Sequence, residues 1–202
     1  IPPVVDVPNA ALALEGFRFG GSPVSTDVEA QVIWQRNHMD ADHQRADLGA
    51  LITGQAFALV WPDPDTRLAS ITVEHPSQCI VMYEAGSRRR RLAGLKQWVD
   101  EDGYMVATLY TQTHIYKFRS ARPRDSRLVI AGQMSNWSPR EVPGEAWPLP
   151  NPYGVVPLVE IRANTPLLTS IYGGGVSEFA KQLTPQKRIN QTNMLLLTTM
   201  EN

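Results

Sequence analysis

The stretch WQRNHMDADHQRAD, at residues 34–47, brings together side chains that could perform acid–base or metal chemistry. It holds two histidines, three aspartates and two arginines. On one continuous helix His38 and Asp42 would share a face, because residues four apart are neighbours there. A metal-dependent hydrolase would use His38, Asp42 and His43. However, a zinc site needs three or four convergent ligands, and the HExxH spacing is absent.

The same stretch also has the pattern of a solvated helix face. Arg36 and Asp40 form an i,i+4 pair of opposite charge, and pairs of this kind stabilise exposed helices. We therefore interpret residues 34–47 as a charged helix face and predict no catalytic residue and no metal ligand there. The hydrolase is kept as an alternative of a different class.

Four consecutive arginines, Arg88–Arg91, follow Ser87. A run of this kind can bind phosphate or nucleic acid. Nucleic-acid sites, however, usually interleave aromatic side chains with the basic ones and lie in basic domains. The other interpretation is a hairpin edge or turn that its charge keeps soluble, and this is the one that the sequence favours.

Two further features lack the surroundings that chemistry would need. Gly173–Gly175 precede a helix, as a phosphate-binding turn would, but neither G-x-x-x-x-G-K-[ST] nor a correctly placed G-x-G-x-x-G is present. We predict a flexible hinge there. Cys79, the only cysteine, has no neighbouring motif that would activate a thiol. The sequence therefore carries no enzyme signature, and we predict no catalytic residue and no cofactor.

Length and charge limit the class of protein further. The 202 residues suffice for one large domain or two small ones, and a single cysteine excludes an internal disulfide. A net charge of −1 argues against a free-standing nucleic-acid-binding domain. No run approaches the roughly 20 apolar residues of a membrane-spanning helix. The chain starts at Ile1 and stops within an apolar helical pattern, so we expect a fragment of a longer protein.

The elements that must position these residues follow an α+β order. A capping box at Thr26–Glu29 predicts a helix that continues to about Thr53, and Gly54 then has the position of a C-terminal helix cap. Shorter runs of β-branched and aromatic residues follow and predict a mainly antiparallel, β-rich region. The predicted strands are 55–61, 68–73, 79–84, 91–99, 104–110, 113–119, 128–132 and 155–162, with a proline-rich excursion at 135–154.

A long helix is predicted after residue 175. Pro185 interrupts its pattern and should either kink this helix or start a new one. Met194–Leu197 are apolar on every face, and such a helix is normally buried on every face. Little else in a chain of this length could cover it. We therefore expect neighbouring copies or a continuation of the chain to do so, and we infer an assembly.

Several short segments form a series along the chain. They are WQRN at 34–37, GQAF at 54–57, HPSQ at 75–78, LAGLKQW at 92–98, TLY at 108–110, IYKF at 115–118, GVVPLV at 154–159, SEF at 177–179 and INQT at 189–192. No single segment is specific, but their order and spacing extend over residues 12–200. In this order the chain resembles the portal proteins of tailed bacteriophages and prophages, in the branch typical of long-tailed phages.

The resemblance implies a structural role instead of an enzymatic one. Portal proteins form a ring, usually of twelve subunits, at one vertex of the capsid, and double-stranded DNA passes through it without sequence specificity. The implied partners are further copies of the chain, terminase, scaffold and major capsid proteins, and head-completion proteins. The subunit is then expected in the virion, with assembly in the host cytoplasm, and without a membrane or a cofactor.

By the same resemblance, residues 1–175 correspond to the wing, an α+β domain, and residues 176–202 to the first stem helix. The clip, the second stem helix and the crown would lie outside this sequence. The candidate channel-facing or subunit-interface residues are Lys181, Lys187, Arg188 and Leu196.

A third possibility is a β-rich virion module that recognises a protein or a glycan. It rests on Trp137 and Trp147 in the proline-rich excursion. Local packing of these two indole rings explains them as well, because buried tryptophans commonly wedge against a sheet.

The hydrolase alternative leads to a direct measurement. If His38, Asp42 and His43 held a metal, elemental analysis of the purified protein would find stoichiometric zinc or manganese, lost in a His38→Ala variant. We expect only trace metal in both proteins, because the spacing suits a charged helix face better than a ligand set. Stoichiometric metal that depends on His38 would restore the hydrolase.

Overall fold

The computed structural model describes residues 9–14, 16–17, 28–63, 65–87, 89–123, 137–164 and 174–200. The fold is α+β, as predicted. Its longer helices are α1 (Val28–Arg36), α2 (Met39–Thr53) and α3 (Ala180–Met200), beside a helical turn at residues 9–11 and a 3₁₀ helix at Pro76–Gln78. Its strands are β1 (Gln55–Pro62), β2 (Ala69–Glu74), β3 (Cys79–Tyr83), β4 (Arg91–Val99), β5 (Tyr104–Thr111), β6 (His114–Pro123), β7 (Trp137–Pro139), β8 (Leu149–Pro150) and β9 (Leu158–Arg162).

The chain forms two compact units, each described by itself. One unit, Phe57–Glu160, is called the β unit. The other combines Ile1–Ala56 with Ile161–Asn202 and is called the terminal unit.

The main element of the β unit is an antiparallel sheet in the order β3-β4-β5-β6-β7, with β8 also paired to β6. A three-stranded sheet has the order β2-β1-β9. A hairpin connects β4 and β5. In its turn the Asp100 carboxylate accepts from the amides of Asp102 at 3.1 Å and Tyr104 at 2.8 Å, and Gly103 adopts a φ of 82°.

The core of the β unit forms where the two sheets face each other. Its buried cluster consists of Phe57, Cys79, Val156 and Leu158. Gly94, on β4, allows this close packing, because a Cβ atom there would lie 3.0 Å from the Leu158 Cβ and 3.0 Å from the Val156 Cγ1. Such distances are too short for an unperturbed side-chain contact, so the position favours glycine.

Ionisation of the core thiol is suppressed by its surroundings. Burial raises the pKa of Cys79 to about 12, because a thiolate would lose its hydration there. The nearby Glu74 carboxylate contributes to this rise of the pKa, and the positive charge of Lys96 opposes it. Burial and Glu74 likewise raise the pKa of Tyr110 to about 12. Both groups therefore stay neutral in the folded β unit at physiological pH.

The single helix predicted up to Thr53 is wrong at one point, because α1 and α2 are separate helices. His38 stands between them with a left-handed φ of 54°. The side-chain amide of Asn37 donates to the Ile33 carbonyl at 2.8 Å and its main-chain amide to the same carbonyl at 3.2 Å, which ends α1. An asparagine side chain competes for backbone groups in this way, and hydrophobic periodicity does not register that competition.

Helix α1 does not bury its apolar side chains. Its apolar positions, Val28, Val32 and Ile33, are exposed, and α1 has no buried residue. Thr26, the first residue of the predicted capping box, and the predicted strand at 128–132 lie outside the described residues and stay predictions.

Three backbone segments meet at Gly54, Ala163 and Gly175, and this meeting point is called the glycine junction. Gly54 ends α2 as predicted, with a φ of 90° and its amide donating to the Ala50 carbonyl at 2.7 Å. The Ala163 amide donates to the Gly54 carbonyl at 3.0 Å, and the Val176 amide donates to the Ala163 carbonyl at 3.0 Å. A Cβ on Gly175 would lie 1.8 Å from the Gly54 oxygen and 2.3 Å from the Ala163 oxygen.

The hinge predicted at Gly173–Gly175 is therefore wrong for Gly175. A residue enclosed by two other backbone segments cannot act as a free joint, and Gly173 lies outside the described residues. The chain next approaches α3 under further restraint, because the Glu178 amide donates to the Leu51 carbonyl at 3.0 Å. The Ser177 hydroxyl accepts from the Phe179 amide at 3.1 Å, as a residue that precedes a helix commonly does.

Helix α3 begins at Ala180 and continues through Pro185. The alternative of a new helix that starts at Pro185 is therefore wrong. Pro185 has no amide hydrogen to donate to the Lys181 carbonyl, but it lies close to the helix start, where few intrahelical bonds are lost.

The glycine junction predicts that alanine substitutions at two neighbouring glycines differ widely in their effect on stability. Gly175→Ala should lower the free energy of unfolding by about 3 kcal/mol, because the new methyl group would overlap two backbone oxygens. The matched control, Gly174→Ala, meets only the Gln55 Oε1 at 3.9 Å and should change stability by less than about 1 kcal/mol. Urea denaturation of both variants measures the difference, and equal stabilities would contradict the junction.

The burial of Cys79 predicts that its thiol is modified slowly in the native state. With a pKa of about 12, about one thiol in ten thousand is ionised at pH 8, so the reaction with a disulfide reagent should be at least about 100-fold slower than in urea. Equal rates in the two solutions would show that the thiol is accessible and ionised.

The pKa shifts of Cys79 and Tyr110 also set a pH dependence. The unfolded thiol and phenol ionise near pH 9 and 10, and the folded ones near 12. Their contribution to stability is therefore complete below pH 9 and is lost as the pH rises towards 12, because only the unfolded chain gives up these protons. Urea denaturation across this pH range measures the loss of stability. A Cys79→Ala variant should lose less stability between pH 9 and 12 than the unchanged chain, because it lacks the thiol.

Candidate subunit interface

The four residues predicted for the channel or the subunit interface all lie on α3, and all are exposed. Lys181 and Arg188 are seven residues apart, about two helical turns, and therefore share a face. Lys187 lies about 100° away from Arg188 around the helix axis, and Leu196 lies on a third side. The helix thus brings Lys181 and Arg188 together and separates them from the other two.

The second half of α3 presents an unusual amount of apolar surface. Met194 is 72%, Leu195 68% and Leu196 56% exposed. Three consecutive helical residues span about 200° of the circumference, so no single packing contact could cover them all. Burying one such side chain contributes about 1.5–3 kcal/mol, and together they therefore offer several kcal/mol to any surface that covers them.

The polar side chains of α3 bond locally. The Thr192 hydroxyl donates to the Arg188 carbonyl at 3.0 Å, and the Thr198 hydroxyl donates to the Met194 carbonyl at 2.8 Å. Gln186 donates to Asn190, one turn away, at 2.9 Å. The hydroxyl protons of Thr192 and Thr198 are thus bonded within α3, and burial of the apolar residues between them would leave neither proton unpaired.

The stretch that first suggested an active site instead joins two helices. The Trp34 indole donates from Nε1 to the Asp40 carboxylate at 2.8 Å, which connects α1 to the first turn of α2. The Trp34 ring also contacts Phe17 and His43, with centroid distances of 5.3 and 5.6 Å. His43 Nδ1 donates to the Met39 carbonyl at 2.7 Å. Asp40 and His43 thus shape the corner between α1 and α2.

The proposed hydrolase residues do not converge in this geometry. His38 occupies the corner between the helices. The Asp42 Oδ1 atom lies 3.4 Å from Nη1 of the exposed Arg45. In the ranges that the structure describes, no group of three or more His, Cys, Asp and Glu residues is placed to hold a metal ion. The hydrolase therefore receives no support from the arrangement of these side chains.

Trp147 packs locally, as one interpretation of its sequence position predicted. Its ring lies edge-on to Tyr116 and Phe118, with centroid distances of 6.0 and 5.9 Å, and its Nε1 donates to the Lys117 carbonyl at 2.9 Å. Trp137 is partly exposed on β7, where it pairs with Ser120 of β6.

Part of the arginine run is used within the β unit. Arg90 forms a long ion pair of 3.4 Å with Glu84 across the β3–β4 turn. Arg91 Nη1 donates to the Leu158 carbonyl at 2.9 Å. Arg88 lies outside the described residues. These contacts fit the interpretation as a charged hairpin edge.

Sequence reasoning missed the charged pairs of the β unit, of which that between Lys96 and Glu74 is the most buried. Lys96 Nζ lies 2.6 Å from the Glu74 carboxylate, which is buried and also accepts from the Thr72 hydroxyl at 3.0 Å. A buried carboxylate needs such partners, because an unpaired one would lose its hydration without compensation. The period of two along a strand was the one available signal, since it places Glu74 and Thr72 on the same side of β2.

In the described part of the chain, no helix has the length and hydropathy that crossing a bilayer would require.

Comparison with protein families confirms the resemblance seen in the sequence. The model of the family described as phage portal protein, SPP1 Gp6-like, matches residues 1–201. No curated protein matches the chain. Portal proteins are structural components of phage capsids, which agrees with a conspicuous exposed apolar surface on α3. The match extends over essentially all 202 residues, and the chain therefore belongs to the SPP1 Gp6-like family of phage portal proteins.

Proposed function

We propose that the chain is one subunit of a portal ring of about twelve copies, through which double-stranded DNA enters and leaves the capsid. In this proposal residues 1–175 form the wing, and residues 176–202 form the first stem helix, which lies along the channel. The ring also serves as the platform for terminase and for head-completion proteins. Scaffold and major capsid proteins contact it during assembly in the host cytoplasm.

One observation carries the proposal: α3 has no buried side chain among its described residues, although its second half is apolar. A helix that is exposed in the single chain and apolar around most of its circumference gains stability only when another surface covers it. Copies of the same helix, arranged around an axis, would cover Leu195 and Leu196 from two sides. Membership of the portal family makes such neighbours available.

The glycine junction supports the same arrangement. It attaches the start of α3 to the end of α2 through the backbone, and Ser177 adds a hydrogen bond from its hydroxyl to the Ile52 carbonyl. The Asn164 side-chain amide donates to the Glu178 carboxylate beside it. A stem helix with a fixed start can place its far end reproducibly against the next copy.

The charges also suit a channel. The net charge of −1 leaves little overall attraction for DNA, and a strongly basic wall would bind DNA tightly through counterion release. We assign Lys181, Lys187 and Arg188 to the channel wall or to the boundaries between subunits. Because Lys181 and Arg188 share one face of α3, they are the stronger pair of candidates for a common surface.

The test of the ring is a charge placed in the proposed contact. In the protein expressed from its complete gene, Leu196→Asp should prevent ring formation, because a carboxylate would be buried without a partner between neighbouring helices. The exposed position of Leu196 in the single chain means that folding should be preserved. Electron microscopy and native mass spectrometry measure the assembly, and circular dichroism measures the folding.

The matched control adds one negative charge elsewhere on the same helix. Gln186→Glu changes an exposed polar side chain in the part of the helix circumference that Met194, Leu195 and Leu196 leave uncovered, and it should assemble as the unchanged protein does. Normal ring assembly by the Leu196→Asp variant would show that Leu196 of α3 does not lie in the contact between subunits. Only monomers or dimers from the unchanged full-length protein would argue against the ring itself.

A further inference from the structure

A cavity of about 460 Å³ lies in the β unit. Its walls come from the end of β1, from the segment that leads into β9, and from β9 itself. Trp61, Tyr153, Val155 and Val159 are among the lining residues. The volume is within the usual range of about 300–1,000 Å³ for ligand-binding pockets.

The walls of this cavity are apolar and open to solvent. Val155 is 55% and Tyr153 54% exposed. Trp61 is held in place, with the Tyr153 ring edge-on at 5.6 Å and the Tyr110 ring at 6.4 Å. A rigid aromatic wall beside exposed aliphatic side chains favours binding of an apolar group, because little conformational freedom is lost on its arrival.

Two arginines line the same cavity, Arg67 and Arg91. Arg91 Nη1 donates to the Leu158 carbonyl, which leaves other donors of its guanidinium available. Among the residues that the structure describes, neither guanidinium forms an ion pair with a carboxylate. The cavity therefore combines apolar walls with two positive charges.

The loop that carries Arg67 is fixed by its own hydrogen bonds. The Asp63 carboxylate accepts from the Thr66 amide at 2.8 Å, and the Arg67 amide donates to the Asp63 carbonyl at 2.8 Å. The Asp63 amide in turn donates to the Leu68 carbonyl at 2.8 Å. Arg67 itself has a left-handed φ of 56°. The backbone from which the Arg67 side chain extends is therefore held in place beside the cavity.

We propose that this cavity binds an extended segment of a partner protein in which aliphatic side chains are followed by acidic ones. The aliphatic side chains would fill the space beside Trp61 and Val155, and the carboxylates would pair with Arg67 and Arg91. Strand β9 is the last strand of its sheet, and an apolar pocket next to an edge strand is a geometry at which extended peptides bind. A nucleic-acid strand would satisfy the two charges but would place phosphates and sugars against apolar walls.

The proposal does not depend on ring assembly, because every residue that lines the cavity belongs to the β unit. Failure of the ring test would therefore not argue against peptide binding at the cavity. Failure of peptide binding would likewise not argue against the ring.

Three acetylated and amidated hexapeptides separate the contributions. The first has two central leucines followed by aspartate and glutamate, the second replaces these acids by asparagine and glutamine, and the third replaces the leucines by serines. Titration into the 202-residue chain, followed by NMR, should give saturable shifts of the Trp61 indole and the Val155 methyl groups with the first peptide. The other two should bind at least about fivefold more weakly.

Variants of the chain test the assignment of charge and apolar surface. Arg67→Gln should reduce the preference for the acidic peptide over its amide analogue to less than twofold, whereas Arg89→Gln, an exposed arginine that does not line the cavity, should keep it. Val155→Ser should weaken all leucine-containing peptides, and Val99→Ser, an exposed valine outside the cavity, should not.

Several outcomes would overturn the proposal. These are an absence of saturable shifts at Trp61 and Val155, equal binding of the acidic and amide peptides, and equal effects of the variants and their controls. Stronger binding of a thymidine decanucleotide than of the acidic peptide at the same residues would replace the protein segment by nucleic acid.

Discussion

The close approach of three backbone segments at Gly54, Ala163 and Gly175 is the constraint on which the terminal unit depends. No side chain separates these segments, so their carbonyl and amide groups bond directly. The end of α2, the segment after β9 and the start of the path into α3 are therefore held at fixed distances. This backbone contact gives α3, which has no buried side chain of its own among its described residues, a defined starting point.

Helix α3 contrasts with the β unit in how its stability arises. The β unit has a core of Phe57, Cys79, Val156 and Leu158 between two sheets, and the buried Glu74 carboxylate is paired with Lys96. The apolar residues of α3 gain nothing from such a core. A structural protein of a phage capsid can accept this arrangement, because its neighbours complete the packing that a solitary domain would need internally.

Local chemistry made much of the fold predictable from the sequence. Gly54 ends a helix because glycine adopts the left-handed conformation without strain, and the turn that starts at Asp100 forms because an aspartate accepts from amides two and four residues ahead. Strand β4 has the predicted bounds, Arg91–Val99. Such elements depend on a few neighbouring residues, and their patterns are therefore visible in one sequence.

The remaining features depend on contacts between distant residues. The left-handed His38 is set by the corner in which Trp34 reaches Asp40, and the helical period of the surrounding residues conceals it. The pair of Glu74 and Lys96 spans 22 residues and exists only after the two sheets have packed, because β2 and β4 belong to different sheets. The candidate residues on α3 were identified from residue type and from the family resemblance, since spacing alone could not distinguish a channel wall from a contact between subunits.

The two threonines of α3 that bond to their own helix have a mechanical consequence. Because the Thr192 and Thr198 hydroxyls donate to carbonyls of their own helix, contacts of a neighbour with these two side chains depend mainly on dispersion, which has little directional preference. When two such surfaces shift lengthwise, side chains must repack, but no hydrogen bond between the helices has to break at these positions. Helices that meet in this way could adjust their relative height or twist under load without breaking any single strong bond.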